Sequence, residues 1–539
     1  FSPVKYMDYY LVDGGIVNNY PAKNVKEMGA DIIVGGDVQS GLIKSIDSLN
    51  SLTAILDQIT SYHRINANEV GYAMTDLYVR MPLHFSMMDF EAYDSIIAVG
   101  ERIGRAHFDE IKALADSLND IEYKPIKKYD AVPLDSIFIN NVIITGSKKM
   151  TPKYFRNLFD EAENSWVQLD GLEKTIRLMV GTRFFQKIDY ELEPTGDGQA
   201  NLIIKVKDAD PGYVSAGVHY DNNYHGSILL NGTFRNVLGK RTKLLTDLVL
   251  GSNPRLRALY MLDNANKPGF GVKVDLYSFK FDDYDKDVKL NTFTFNNYGI
   301  SAFANSSLKN SYSFRLGVEY QYFQFKQNVI VDTLLENFKD FNSYGNLFLQ
   351  FGSDTRDKNY YPTKGVLARF SLKYIIPLSD NWTQVLFSNA AVIYGRYDHN
   401  IKLSKRLVLR PGVFLGTTLK QSQSPPIQNY FAVGGLNPQH YIDNHVDFTG
   451  VKFIQSFGLH TAIARLKLQY NFFKEMYFIP RIDAGVNEME FEEVFQLNNI
   501  MVGYGLTYGY NSFIGPIELT VMDSNISGPM LFLNLGFWF

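Results

Sequence analysis

The last twelve residues, Gly528 to Phe539, constrain this chain most. They read Gly-Pro-Met-Leu-Phe-Leu-Asn-Leu-Gly-Phe-Trp-Phe. Leu531, Leu533, Leu535, Phe537 and Phe539 form one apolar set at period two, and Phe532, Asn534, Gly536 and Trp538 form the other. Successive side chains of a strand leave opposite faces, so this period predicts a strand with one wholly apolar face. The face with Asn and Gly suits a wet or crowded interior. The two preceding runs repeat the design. Ile517, Leu519 and Val521 alternate with Glu518, Thr520 and Met522, and Val502, Tyr504, Leu506 and Tyr508 with Gly503, Gly505, Thr507 and Gly509. Such strands, aromatic at their ends, are those of a membrane-spanning β-barrel. A soluble β-sandwich also alternates, but persistence of the pattern over about three hundred residues favours the barrel.

Composition agrees. Aromatics make up 14%, with 35 Tyr and 39 Phe but only 3 Trp, which fits aromatic girdles at two membrane interfaces. The net charge of −4 offers no basic surface to nucleic acid. The chain has no cysteine, hence no disulfide framework and no thiolate metal site. No apolar run is long enough for a transmembrane helix. From Gly212 onward sixteen candidate strands follow one another, and their connections alternate short and long. An even number suits barrel closure.

Residues 1–120 differ in kind. Tyr10-Leu-Val-Asp13-Gly14-Gly15-Ile16 predicts a short strand running into a turn, and Ala22 to Met28 a helix closed by Gly29. Asp31 to Val38 is a short apolar run of the kind buried in a parallel sheet. Leu52, Ile55, Leu56 and Ile59 share one helical face, Asp76 to Pro82 is a further strand, and Asp94 to Leu118 is a helix. Strands alternating with helices predict an α/β layer domain. Residues 121–135, with Lys124, Lys127, Lys128, Pro125 and Pro133, predict a linker. Residues 136–210 predict the order β-α-α-β-β, an α+β domain: a strand from Ile137, a helix capped by Thr151 through Leu158, a helix Leu172–Met179, and strands Phe184–Leu192 and Ala200–Asp208.

Three resemblances attach to these segments. Leu11-Val-Asp-Gly-Gly-Ile-Val-Asn-Asn-Tyr-Pro-Ala followed by Gly29-Ala-Asp-Ile-Ile-Val-Gly resembles the C-terminal part of a patatin-like phospholipase domain. That resemblance implies a lipid acyl hydrolase with a Ser–Asp dyad, in which Asp13 is the general base and Gly14 and Gly15 form the turn that presents it. A carboxylate within hydrogen-bond reach of a serine can take its proton during acyl transfer. No Gly-x-Ser-x-Gly elbow occurs in the sequence, so the resemblance implies a nucleophile in an upstream hydrolase segment. Residues 136–210, with Gly181-Thr-Arg-Phe-Phe before the second strand, resemble a POTRA domain, a periplasmic module that binds peptide by strand addition; a generic α+β domain has the same element order. Ser353-Asp-Thr-Arg-Asp-Lys-Asn-Tyr-Tyr-Pro-Thr-Lys-Gly365 and Asp483-Ala-Gly485 resemble signatures of the outer-membrane assembly and two-partner-secretion barrels. Together they match the plan of patatin-class autotransporters: a C-terminal portion of an α/β patatin-like domain (1–120), a linker (121–135), a POTRA domain (136–210) and a sixteen-stranded antiparallel transmembrane barrel (211–539).

The resemblance implies the bacterial outer membrane, with the POTRA domain in the periplasm, and membrane lipids and the barrel-assembly machinery as partners. It implies no cofactor. A transport or assembly barrel with an inert hydrolase remnant is the alternative. In the resembling barrels the sixth outward loop folds into the lumen, and an Arg-Gly-aromatic tip docks near a wall aspartate. The loop here runs from about Leu419 to Gln455. Gly434 and Gly435 match the approach to the tip and Tyr441 its aromatic end, but Gln439 and His440 stand in place of Arg and Gly. Asp483 alternates with Ile482 and Ala484, so its side chain should point inward and want a donor from Gln439 or His440. A loop capping the barrel from outside is the alternative. Asp282, Asp283, Asp285 and Asp287 predict a solvated acidic loop, since no glycine or bidentate carboxylate stands at calcium-loop spacing. The nine His are scattered and predict no zinc site.

Overall fold

The period-two pattern closes into a barrel of sixteen antiparallel strands, from Gly212–Asp221 to Met530–Gly536. The computed structural model describes residues 4–39, 41–42, 52–81, 83, 85, 92–121, 136–159, 162–196, 198–263, 267–285, 288–308, 311–327, 339–378, 389–420, 425, 427–437 and 441–539. They fall into two units, Phe1–Val132 and Pro133–Phe539. Thirteen residues of the expected linker, 123–135, lie outside the described set, as does Glu122.

In the barrel each strand pairs with its sequence neighbour, and the last returns to the first. Closure follows from solvent chemistry. In hydrocarbon an open sheet edge would leave backbone groups with no partner, at several kcal/mol each. The closing seam is short: Asn534 pairs with Asp221, Leu535 with Tyr220 and Gly536 with His219. The first two strands pair along their whole length, from Asp221–His225 to Gly212–Phe234. Side chains sort as the alternation requires. Leu531 is 56% exposed on the outer face, whereas Phe532 and Asn534 are buried inside. Phe314, Leu316, Val318 and Tyr320 likewise face out, and Gln321 and Phe323 lie inside or buried. Some of the wall's inner polar groups bond one another. Gln321 Nε2 donates to Asn297 Oδ1 at 2.6 Å, and Asn346 Nδ2 to Glu319 Oε2 at 2.9 Å.

Asp282 does not lie in a loop. The hairpin strands Gly269–Asp285 and Val288–Leu308 extend through it, and Asp282 accepts from Thr292 Oγ1 and Lys289 Nζ at 2.7 Å each. These strands are far longer than the nine to eleven residues, roughly, that cross a bilayer. The side chains of Asp283 and Asp285, and Asp287 altogether, are outside the described set.

In the first unit, hairpin strands β1 (Val4–Tyr6) and β2 (Tyr9–Leu11) precede helix α1 (Ala22–Glu27). Gly29, at φ +98°, closes that helix as expected. Strands β3 (Val34–Asp37) and β4 (Leu77–Arg80) pair in parallel across the crossover helix α2 (Leu52–Ala73). The single helix expected over Asp94–Leu118 is two, α3 (Tyr93–Ala106) and α4 (Phe108–Ile121). His107 leaves the helical region at ψ 11° and its ring nitrogen meets Glu110 Oε2 at 3.1 Å. With Asp109 and Glu110 in the first turn, that is a second helix start.

In the second unit, strands β5 (Ser136–Thr145), β6 (Ser165–Gln168), β7 (Phe185–Gly196) and β8 (Gln199–Asp208) form a sheet in the order β6-β5-β8-β7. Helices α5 (Pro152–Phe159) and α6 (Leu169–Gly181) pack on it. Thr151 Oγ1 caps α5, accepting from Tyr154 N at 3.3 Å. The element order is β-α-β-α-β-β. The short β6 escapes a pattern search because four residues cannot display a period. This sheet meets the barrel where Lys243 Nζ lies 4.6 Å above the Phe184 ring.

Leu533 is the central residue of the last strand and faces outward. Replacing it with Arg should destabilise the folded barrel by about 2–4 kcal/mol. Urea unfolding in lipid vesicles measures this; an unchanged midpoint would place Leu533 away from the hydrocarbon.

Candidate functional site

The long connection between the strands Leu407–Lys420 and His460–Phe473 folds back into the lumen. Inside, Phe431–Val433, His445–Val446 and Ser456–Gly458 form a three-stranded sheet of their own. Phe431, Val433, Val446, Phe448, Val451 and Ile454 are fully buried in one cluster with the wall residues Phe279, Phe295, Phe323 and Tyr344. A loop rich in apolar residues thus meets an inner wall rich in aromatics. Gly434 and Gly435 take φ +131° and +77°. A Cβ on Gly434 would sit 1.9 Å from Lys452 O, so only glycine fits there.

Tyr441 packs among Tyr224, Tyr277 and Phe279, with ring centroids 5.0, 5.5 and 5.6 Å away. Its hydroxyl donates to Asn253 O at 2.5 Å, and the Arg255 guanidinium lies 5.1 Å over the ring. Asp483 points inward from the strand Met476–Glu488 and is 1% exposed. Its donor is Thr449, through the backbone N at 2.7 Å and Oγ1 at 2.6 Å, both to Oδ2. Gln439 and His440, expected to donate, lie outside the described residues.

A second latch escaped sequence reading. Asp447 on the loop receives Arg396 Nη1 at 3.2 Å and Arg465 Nη2 at 3.4 Å, and Arg465 Nη2 also donates to Asp447 O at 2.6 Å. Here the loop brings the carboxylate and the wall brings the arginines. One signal was available: Arg465 stands between Ala464 and Leu466, at the inward parity of its strand and directly across from Asp483.

The bare face of Gly503, Gly505 and Gly509 now has a cause. A Cβ on Gly503 would lie 1.8 Å from Thr449 O, and one on Gly509 2.6 Å from Tyr361 Oη. The lumen loop and the turn at 355–364 rest on that face. In the turn, Asp357 accepts from Thr363 N and Oγ1 at 2.8 and 2.6 Å. Tyr361 tucks inward and stacks on Tyr477 at 4.1 Å, and Trp538 N donates to Tyr360 Oη at 3.2 Å.

In the first unit Asp13 is exposed and caps the short helical turn Gly14–Ile16, its Oδ1 accepting from Gly15 N at 2.8 Å. Gly14 and Gly15 lie in that turn without a positive φ. Gly15 is needed for space, since a Cβ there would meet Asn19 Oδ1 at 2.7 Å; Gly14 has open space. The unit's buried hub is Asp37, which sequence reading passed over as a strand end. It accepts from Tyr78 Oη at 2.6 Å, Tyr72 Oη at 2.8 Å and Gln39 N at 3.0 Å. Burial raises its carboxyl pKa, but the hydrogen bonds from Tyr78, Gln39 and Tyr72 outweigh that and hold it below the usual range. Burial and the Asp37 charge push the Tyr78 hydroxyl up to about 12.

A sixteen-stranded closed barrel with apolar outside, polar inner wall and inserted loop defines the class of plugged membrane-spanning β-barrels. Residues 200–539 match the OMP85 superfamily. The chain belongs to that superfamily: it is an outer-membrane barrel of the transport and assembly kind. The crystal structure of BamA from Haemophilus ducreyi lacking POTRA domains 1–3 is similar in fold, at TM-score 0.55 and 14% identity, over 74% of this chain and 85% of that one. CdiB from Acinetobacter baumannii aligns at TM-score 0.48 and 12% identity over 100% and 94%, and CdiB from Escherichia coli at 0.44 and 10% over 84% and 100%.

Replacing Asp447 with Ala removes one member of a buried charge cluster, leaving Arg465 without its carboxylate and Arg396 with Asp398 alone. The expected cost is about 3–5 kcal/mol, because the buried Arg465 loses the carboxylate it is paired with. Urea unfolding in vesicles reads the loss, and protease cleavage between 430 and 450 reads release of the loop. Wild-type behaviour in both would mean that Asp447 does not hold the loop.

Proposed function

We propose that this chain is the barrel-bearing part of an outer-membrane lipid acyl hydrolase, in which Asp13 is the general base of a Ser–Asp dyad. The observation that carries the reading is the presentation of Asp13. One carboxylate oxygen is fixed by Gly15 N, while the other has no partner among the described residues and is open to a serine hydroxyl. A base must be held in one orientation and still reach the proton it removes. The parallel β3–β4 pair with its crossover helix supports an α/β hydrolase layer. Val34, Ile59, Tyr62 and Ile97 are large apolar side chains left exposed in the first unit, which fits a further hydrolase segment covering them.

In this reading residues 136–210 are a POTRA domain in the periplasm. The four-stranded mixed sheet with two helices supports it. So does the alignment with a BamA form lacking POTRA domains 1–3, whose share of this chain exceeds the barrel alone. The second reading is a transport or assembly barrel with an inert hydrolase remnant. The short seam between first and last strands favours it, because three residue pairs open more readily than a full ladder. Membrane lipids are partners in the first reading and the barrel-assembly machinery in the second.

The test is Asp13→Asn in the intact polypeptide. Asn keeps size and hydrogen bonding but cannot take the proton, so ester hydrolysis should fall by about two to four orders of magnitude. Insertion into the outer membrane, followed by the heat-dependent gel mobility of the barrel, should not change. Unaltered hydrolysis of a short-chain nitrophenyl ester by Asp13→Asn would remove Asp13 from the chemistry.

A further inference from the structure

At the end of the lumen bounded by the 355–364 turn and Trp538 lies a cavity of about 400 Å³. Its wall carries six arginines and one lysine against three carboxylates, in a chain whose net charge is −4. The strand register makes the concentration acute. Arg410 stands directly across from Lys467, and Lys467 directly across from Arg481, so three cations lie side by side at one level of the wall. Arg369 and Arg396 face each other in the same way. Like charges directly opposite on neighbouring strands destabilise a sheet.

The three carboxylates present do not cancel this row, and Glu518 makes no ion pair among the described residues. Asp398 and Asp447 are engaged by Arg396 at 2.6 and 3.2 Å, and Asp447 also by Arg465. Arg410 donates to the neutral Gln469 Oε1 at 3.0 Å. Among the described residues, no carboxylate lies within ion-pair distance of Arg410, Lys467 or Arg481. Arg465 is 4% exposed, yet its Nε and Nη1 have no partner among the described residues, and the same holds for Nε of Arg481. Buried donors left without acceptors are costly, more so when charged. A wall that keeps them needs an acceptor with several oxygens and more than one negative charge.

We propose that this chamber binds a phosphate-type oxyanion of at least two charges, with Arg410, Arg465, Lys467 and Arg481 as its donors. Guanidinium forks match a tetrahedral oxyanion in bidentate fashion, and a single carboxylate would neutralise only one of the cations. A free phosphate compound and a lipid headgroup that ends in a phosphomonoester share this chemistry. The proposal does not depend on the hydrolase reading, since every residue in it belongs to the barrel.

The test uses the full chain in a nonionic detergent. Pyrophosphate is titrated by calorimetry, and short-chain phosphatidic acid is compared with phosphatidylcholine of the same chain length. Saturable binding of pyrophosphate, raising the thermal midpoint, is expected. Lys467→Gln and Arg481→Gln should each weaken it about tenfold or more. Without ligand both variants should be as stable as the parent or more so, because repulsion in the row is relieved. A merely structural cation would instead lose stability on substitution. Lys205→Gln, at an exposed ion pair with Glu191 in the small sheet, should leave binding unchanged. Pyrophosphate binding without phosphatidic acid binding supports the site with a soluble ligand; preference for phosphatidic acid over phosphatidylcholine supports it with a headgroup. Binding of none of these, or binding that both variants leave intact, overturns the proposal.

Discussion

Backbone hydrogen bonding in hydrocarbon is the constraint on which this structure depends. No strand can cross the membrane with an unpaired edge, so the sheet must close, and closure turns period-two alternation into an inside and an outside. Everything at the functional level is then a question of what fills the inside. A sixteen-stranded barrel is too wide for its own wall side chains to fill. Here a loop with its own three-stranded sheet enters from one end, and the 355–364 turn tucks in with Tyr361. The glycine face of the strand Met501–Ser512 receives both. One strand therefore serves as the floor for two inserted segments, which explains a residue choice that would otherwise weaken a strand.

Two kinds of interaction hold the lumen loop, and they do different things. Burying side chains such as Phe431, Val433, Val446 and Phe448 stabilises the inserted form by roughly 1.5–3 kcal/mol each relative to exposure. Those contacts are not directional. The Thr449–Asp483 hydrogen bonds and the Asp447–Arg396–Arg465 cluster are directional, and buried ion pairs roughly break even after desolvation. Apolar burial therefore supplies the affinity of the loop for the lumen, and the polar latches fix its register. With both latches on the segment Asp447–Thr449, that register is set at one point of the loop.

What could be read from the sequence was what has a period or a known signature. The alternation of Leu531, Leu533 and Leu535 against Phe532 and Asn534 fixed the register of the last strand correctly, and inward parity placed Asp483 in the lumen. The count of sixteen strands followed from the same rule. What could not be read was pairing at a distance. Nothing local to Thr449 marks it as the donor to Asp483, thirty-four residues away, and nothing local to Asp447 names Arg396. The strand Ser165–Gln168 is too short to show a pattern, and the break at His107 depends on a cap within a continuous helical periodicity. Asp37 looks like the end of a strand until the fold brings Tyr72 and Tyr78 to it.

The charges of the inner wall are not distributed for stability alone. Arg465 borders both the loop latch and the cationic row. Its Nη2 holds the loop through Asp447 O, while Nε and Nη1 remain without a partner among the described residues beside the Arg410–Lys467–Arg481 row. Seating of the loop and the electrostatics of the chamber thus pass through one guanidinium. Loop carboxylates reduce the repulsion felt by the row, and a loop without them would leave the row uncompensated in a low-dielectric lumen. By linkage, anything that neutralises the row changes the free energy with which the wall holds Asp447, and the loop's position changes the chamber's affinity by the same factor. A wall arginine paired with a loop carboxylate makes that coupling direct. With the charges reversed, a loop arginine would add to the surplus beside the row, and withdrawing it would relieve the chamber's repulsion.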